Sequence, residues 1–320
     1  MRSQNLLLIA LVCFALSTFA QQKGITSANQ TIRQNLSGID KDHTVNWDFY
    51  CTSGRKSGRW TTIPVPSNWE FQGFGGYNYG HDKVKNDEQG LYKHQFKLGA
   101  NAQHKRIFIV FEGSMTDTEV KINGQLAGPV HQGAFYRFKY DITNLVKNNA
   151  DNLLEVKVSK MSADASVNRA ERNGDFWIFG GIYRPVYLEI VPETYIDRIA
   201  IDAKANGQIR VDVFNKNTAT NQTIQAEVQT LKGVRVGQPF ALKPTGDSTT
   251  LKSLIKNIAA WNPEQPSLYN LVVGIKSGDK VVHQITQRFG FRTVELRKGD
   301  GIYVNDKKVI FKGVCHHSEW

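Results

Sequence analysis

Ile107-Phe108-Ile109-Val110-Phe111 is a continuous apolar run of the kind found in a strand covered on both faces. Working outward, Val120 and Ile122 alternate with polar neighbours and lead into Asn123-Gly124. That pair favours a tight hairpin because both residues accept positive φ. Leu154, Val156 and Val158 alternate in the same way, as do Val186, Leu188 and Ile190. Only Ala163–Arg172 reads as helical, and briefly. Residues 45–191 therefore predict an all-β fold, a sandwich of short strands. After Pro192 a second set follows: Ile199/Ile201, Ile209/Val211/Val213, Ile224/Ala226/Val228, Leu251, Leu268–Ile275 and Val281–Phe291. About 100 residues holding about seven strands match an immunoglobulin-like sandwich. Residues 21–42 are polar and read as a leader or a loose strand.

The chain has 320 residues, enough for about two domains, with 40% hydrophobic and 22% charged residues. That balance supports an ordinary core and excludes wholesale disorder. Met1-Arg2-Ser3, the apolar stretch Leu6–Leu16 and small Thr18 and Ala20 predict a signal peptide cleaved before Gln21. The apolar stretch is too short to span a bilayer of about 30 Å. The expected protein is exported, periplasmic or extracellular, with no membrane association after cleavage. The mature chain keeps Cys51 and Cys315, too few and too far apart for a disulfide framework, and both read as unpaired. No cysteine pair has zinc spacing, and no metal or cofactor is assigned to residues of this chain. The formal charge is +11, but the cations are scattered in pairs such as Arg55-Lys56 and Lys105-Arg106. Scattered charge gives no nucleic-acid signature and leaves an anionic polysaccharide open as a partner.

The last 29 residues do not make a domain. Ile302-Tyr303-Val304 and Val309-Ile310-Phe311 flank Asn305–Lys308 as a hairpin. Lys312–Trp320 then runs as an apolar strand ending in histidines and an acid, in the manner of an active-site strand of a (β/α)8 barrel whose companions are missing. The expected divisions are 1–20 signal, 21–42 leader, 43–192 first sandwich, 193–291 immunoglobulin-like sandwich and 292–320 the start of a truncated barrel.

Four ordered stretches carry a resemblance. They are Val65-Pro66-Ser67-Asn68-Trp69-Glu70 with Gly75–Tyr79; Asp175–Val186; Trp261-Asn262-Pro263 through Tyr269 with Phe289-Gly290-Phe291-Arg292; and Val304-Asn305 through Val314. Together they resemble glycoside hydrolase family 2, the β-galactosidase, β-glucuronidase and β-mannosidase group. The resemblance implies a jelly-roll sugar-binding domain, an immunoglobulin-like domain and a catalytic barrel. It also implies retaining hydrolysis by two glutamates about 5–5.5 Å apart. Those glutamates lie on late barrel strands in the family, so no catalytic residue is assigned to this chain.

What the resemblance implies for this chain is contact with sugar. Asp175 matches the family aspartate that accepts hydrogen bonds from hydroxyls of the terminal sugar, and an ionised carboxylate can hold a vicinal diol. His317 matches the histidine at the end of the first barrel strand. Trp177 is open to two readings, a stacking ring or a core ring. Arg184 reads as an internal ion-pair partner and Gly180-Gly181 as a site of close backbone approach. Two departures stand out: Cys315-His316-His317 replaces the usual Asn-Arg-His, and His81 stands where family β-galactosidases carry a sugar-recognising asparagine. His81 or Asp82 is the candidate substitute. The expected function is the N-terminal portion of an exported retaining exo-β-glycosidase, β-galactosidase-like, acting on terminal β-linked sugars. The alternative is a complete secreted carbohydrate-binding β-sandwich protein without catalysis.

Overall fold

A computed structural model describes residues 29–314. The first sandwich pairs two antiparallel sheets. One has four strands in the order Ile32–Asn35, Val186–Val191, Arg106–Phe111, Phe138–Asp141; the other has six, in the order Trp60–Val65, Val45–Cys51, Gln89–Phe96, Asn152–Ser159, Asp117–Ile122, Gln125–Leu126. Trp47, Phe49, Ile63, Tyr92, Val156 and Val158 of the larger sheet meet Ile107, Ile109, Phe111, Val186 and Leu188 of the smaller one in a single core. Leu154, Val156 and Val158 are buried in alternation, because successive side chains of a strand point to opposite faces. Asn123 (φ 53°) and Gly124 (φ 82°) make the expected turn after Ile122. Helix Ala165–Glu171 is capped by Asp164, whose side chain accepts from the Ser166 N–H.

The apolar run at 107–111 is covered on both faces. Its outward Phe108 packs with Val191 and Tyr195, where the chain crosses into the second domain. Part of the segment read as a leader or loose strand belongs to the first sandwich: Ile32–Asn35 pairs with Tyr187–Ile190. Its polar composition hid it because an edge strand leaves alternate side chains to solvent.

Seven strands form the second sandwich. A three-stranded sheet runs Tyr195–Ala203, Gln208–Lys216, Ser248–Leu254, and a four-stranded sheet runs Arg235–Leu242, Gln222–Thr230, Tyr269–Ser277, Lys280–Phe289. Val211, Val213, Ile224, Val228, Leu271 and Val273 fill its core. Arg235–Leu242 gave no alternating signal, being an edge strand whose side chains are mostly exposed. Beyond it, Val294–Arg297, Gly301–Val304 and Lys307–Val309 form a small antiparallel sheet, turned by Asn305 (φ 50°) and Asp306 (φ 64°). The signal segment lies outside the described residues, as do Cys315 and the end of the expected barrel strand.

The two sandwiches are latched by His283, which is fully buried. Its Nδ1 accepts from the Ile196 N–H at 3.0 Å, which leaves the proton on Nε2, 3.1 Å from Thr31 Oγ1. Asn29 adds a bond from Nδ2 to the Val281 carbonyl at 2.7 Å. Burial, with the Lys105 ammonium nearby, pushes the imidazole down from 6.5 to about 4. The unfolded chain therefore takes up this proton first. The neutral ring's contribution is complete above about pH 6.5 and falls by about 3 kcal/mol as the pH drops to about 4, with no further change below. Urea unfolding between pH 7 and 4 is expected to show that loss in the wild type and a flatter profile in His283→Gln.

Candidate functional site

Two motif stretches far apart in sequence fold into one unit. Ser67 N donates to the Ile182 carbonyl at 2.8 Å, Trp69 N to the Gly180 carbonyl at 3.2 Å, and both Glu70 oxygens accept from Gly180 N at 3.1 Å. Gly180 is required for this contact: a Cβ there would fall 2.0 Å from the buried Trp69 ring. Gly181 adopts φ +118°, and its Cβ would meet the Ser67 carbonyl at 2.6 Å. The close backbone approach expected at this pair is therefore present.

Beneath the unit lies a sealed ionic cluster. Lys160 has no solvent exposure; its Nζ is 2.9 Å from Glu70 Oε1 and 3.1 Å from Glu88 Oε1, and it donates to the Gly76 carbonyl. Glu88 Oε1 also accepts from Gly76 N at 2.9 Å. Burial raises the Glu70 carboxyl above its ordinary range, and Lys160 opposes that shift. These glutamates are spent on one lysine and closed to solvent, so their role is structural. A lysine on the inward parity of Leu154, Val156 and Val158 was the sequence signal for this cluster, and sequence reasoning missed it.

The cluster supports a two-stranded ribbon in which Tyr79 faces Trp177 and Asn78 faces Ile178. Tyr79 hydroxyl donates to Asp175 Oδ1, and that bond raises the phenol's pKa. Asp175 is exposed at the ribbon's edge. Trp177 is 38% exposed and so is not a core ring; it meets Tyr79 edge-on at 5.3 Å and Tyr77 at 6.1 Å. Phe71 and Phe179, 4.7 Å apart, extend the row through Tyr77. His81 is exposed, with its ring 5.9 Å from that of Tyr79.

Asp82 is exposed and its carboxylate bonds back to its own loop. Its Oδ2 accepts from Tyr79 N at 2.8 Å and from Asn78 Nδ2 at 3.3 Å, and these bonds hold the carboxyl below its usual range. Asp175, Trp177 and His81 thus come together, with Asp82 shaping the turn behind them. His317 lies outside the described residues. Tyr79, which anchors Asp175, was quoted in a motif but given no role. Arg184 departs from the ion pair expected of it: it is exposed, its Nη1 reaches the Glu112 and Phe135 carbonyls at 3.4 Å, and its guanidinium lies over the Tyr183 ring. Cys51 is buried and unpaired, donating to the Ser53 carbonyl, and burial pushes its thiol up. Among the described residues no group of three or more His, Cys, Asp or Glu could hold a metal ion.

The site is thus an exposed carboxylate beside a row of aromatic rings, on a β-sandwich in series with an immunoglobulin-like unit. The chain belongs to glycosyl hydrolases family 2: residues 56–192 match that family's sugar binding domain, and residues 194–292 match a second domain of the same family. It is 29% identical to a beta-galactosidase of Clostridium acetobutylicum over 280 residues, covering 80% of this chain and 30% of that protein. A beta-galactosidase of Thermoanaerobacter pseudethanolicus is also 29% identical, over 71% of this chain and 31% of its own length. In fold the chain is similar to Bifidobacterium dentium beta-glucuronidase complexed with coumarin-3-O-glucuronide, with TM-score 0.71, 22% identity, and 88% of this chain and 52% of that one covered. The chain thus spans about a third of the length of the curated relatives it matches.

Replacing Lys160 with alanine leaves two buried carboxylates without their cation. Loss of one partner of such a pair costs about 3–5 kcal/mol. Chemical denaturation of Lys160→Ala is expected to show a loss of that size, whereas Lys243→Ala, on an exposed side chain, stays within about 0.5 kcal/mol of wild type.

Proposed function

We propose that this chain is the substrate-orienting part of an exported β-glycosidase that acts on terminal β-linked sugars with retention of configuration. The observation that carries the reading is Asp175, exposed at the rim of the aromatic ribbon and held in place by the Tyr79 hydroxyl. An ionised carboxylate offers only acceptors, so two neighbouring sugar hydroxyls can donate to it together. The tyrosine occupies one oxygen and orients the other toward solvent. Trp177 supplies an apolar ring face for the sugar's C–H surface, and His81 supplies a further polar group. His317 completes the non-reducing-end pocket in this reading, from the chain that follows the small three-stranded sheet.

The chemistry then belongs to a catalytic barrel after a jelly-roll domain and the immunoglobulin-like sandwich. There one carboxylic acid protonates the leaving oxygen while a carboxylate about 5–5.5 Å away attacks the anomeric carbon. Glu70 and Glu88 are unsuited to either role, because both are sealed from solvent and share one lysine. The relatives' names, beta-galactosidase and beta-glucuronidase, support a β-glycoside as substrate.

Two measurements test this reading. The purified chain is expected to hydrolyse neither 4-nitrophenyl β-galactoside nor the β-glucuronide; turnover of either would overturn the division of labour. In ligand-observed NMR with the methyl β-glycosides, binding on the order of 1 mM is expected. Asp175→Ala should weaken it at least about tenfold, because hydrogen bonds to a charged group contribute about 1.5–3 kcal/mol. Tyr79→Phe should weaken it about threefold by releasing the carboxylate. Unchanged binding in Asp175→Ala would remove Asp175 from the site.

A further inference from the structure

The six-stranded sheet of the first sandwich turns one face to the core and the other to solvent. Phe49, Tyr92, Val120 and Val156 point inward and are buried. Their neighbours along each strand point outward, and the strand register lines them up across the sheet. One rung runs Trp60, Tyr50, Leu91, Lys157, Glu119. The next runs Thr62, Asp48, Lys93, Glu155, Lys121.

The first rung begins as an apolar strip. Trp60 is 48% exposed, and its ring centre lies 5.7 Å from that of Tyr50. Lys93 Nζ is 4.9 Å from the Trp60 ring centre. The remainder is an ionic lattice: Lys93 is 3.7 Å from Glu155, and Lys157 and Lys121 are 3.4 Å and 3.3 Å from Glu119. Across both rungs Lys93, Lys121 and Lys157 balance Asp48, Glu119 and Glu155, so the rungs carry no net charge. Trp60 and Leu91 share with Lys93, Glu119, Glu155 and Lys157 the walls of a shallow groove of about 420 Å³.

Ion pairs of this kind are ordinary on a solvated sheet, where they support strand pairing. Strand pairing does not account for the indole in line with them, an apolar ring left in water that a cover would stabilise. A ligand suited to this surface offers an apolar face to the rings and uncharged polar groups to the lattice. A sugar does both. Its C–H face covers the rings, and each hydroxyl both donates and accepts, so it can bridge a lysine and a glutamate without upsetting their balance. A charged chain would instead compete with an existing pair and meet as many like charges as opposite ones. None of these groups belongs to the ribbon of Tyr79, Asp175 and Trp177.

We propose that the outward face of the six-stranded sheet is a second carbohydrate-binding surface, which takes a stretch of a neutral oligosaccharide along Trp60, Tyr50 and Leu91. It holds the sugar chain rather than its terminal unit and does not depend on Asp175. The test therefore uses Asp175→Ala, so that the sheet face is read without the terminal-sugar contact. The Trp60 indole N–H resonance is followed by NMR during titration with neutral β-linked hexasaccharides of glucose, galactose and mannose, and with a β-linked hexaglucuronate. At least one neutral chain is expected to shift that resonance with Kd on the order of 1 mM, about tenfold tighter than the glucuronate.

Adding Trp60→Ala should weaken binding of that chain about tenfold, read by ligand-observed NMR. Trp60→Phe, which keeps a ring face, should restore most of it and separates lost contact from misfolding. Equal or tighter binding of the glucuronate would overturn the neutral match. No shift with any of the four would overturn the surface, while the reading of Asp175 stands or falls on the methyl β-glycosides with the wild-type chain. Self-association of the chain that Trp60→Ala abolishes would assign this face to a second copy and overturn the proposal.

Discussion

A single buried ammonium group organises the functional end of the first sandwich. Lys160 directly follows a strand of regular inward alternation, and in place of another apolar residue it presents a charge to two carboxylates and a carbonyl. Taking three ionised groups out of water is costly, and the attraction among them offsets that cost only if every remaining hydrogen-bonding position is used. Here backbone meets part of the requirement, and Glu88 Oε2 has no hydrogen-bond partner among the described residues. Glu70 accepts from Gly180, Glu88 from Gly76, and Lys160 donates to Gly76. The cluster therefore adds side-chain bonds among chain segments near residues 70, 76, 88, 160 and 180.

That constraint explains how a loop-built face can be held in one arrangement. The Tyr79–Trp177 ribbon has only two residues per strand, too few to hold itself. Its stability comes from below, through Gly180 packed on the Trp69 ring and the ionic cluster under both. On this base the exposed groups divide by environment. Both aspartates are exposed, but Asp175 accepts from the tyrosine's hydroxyl whereas Asp82 accepts from the tyrosine's backbone N–H. Two aspartates in neighbouring loops thus differ in their hydrogen-bond partners rather than in their exposure.

The second sandwich is joined to the first through a different kind of contact. A neutral imidazole, held by one backbone donor and one hydroxyl, seals a junction whose apolar part is Phe108, Val191 and Tyr195. Lys139 adds ion pairs to Glu189 at 2.9 Å and Asp197 at 2.7 Å across the same boundary. The orientation of the two units thus depends on an apolar contact and a few polar groups.

Much of this architecture was legible from alternation and turn chemistry. The apolar run at 107–111, the Asn123-Gly124 turn and the period-2 strands follow from side-chain geometry that any strand must obey. They were readable without tertiary information. Edge strands such as Ile32–Asn35 and Arg235–Leu242 were not, because a strand with one partner has no need of an apolar face to exist. At the site, sequence pointed to Asp175, His81 and Trp177 through motif resemblance, but it could not rank Asp82 below Asp175 or find Tyr79 and Lys160. Those assignments depend on which groups meet across separations of 96 residues for Tyr79 and Asp175 and 72 for Glu88 and Lys160. By itself the sequence determined an all-β chain of two sandwiches, since periodicity is a local property. Only the tertiary structure decided which charges are buried and which face solvent, because a charge's role is set by the partners that folding brings to it.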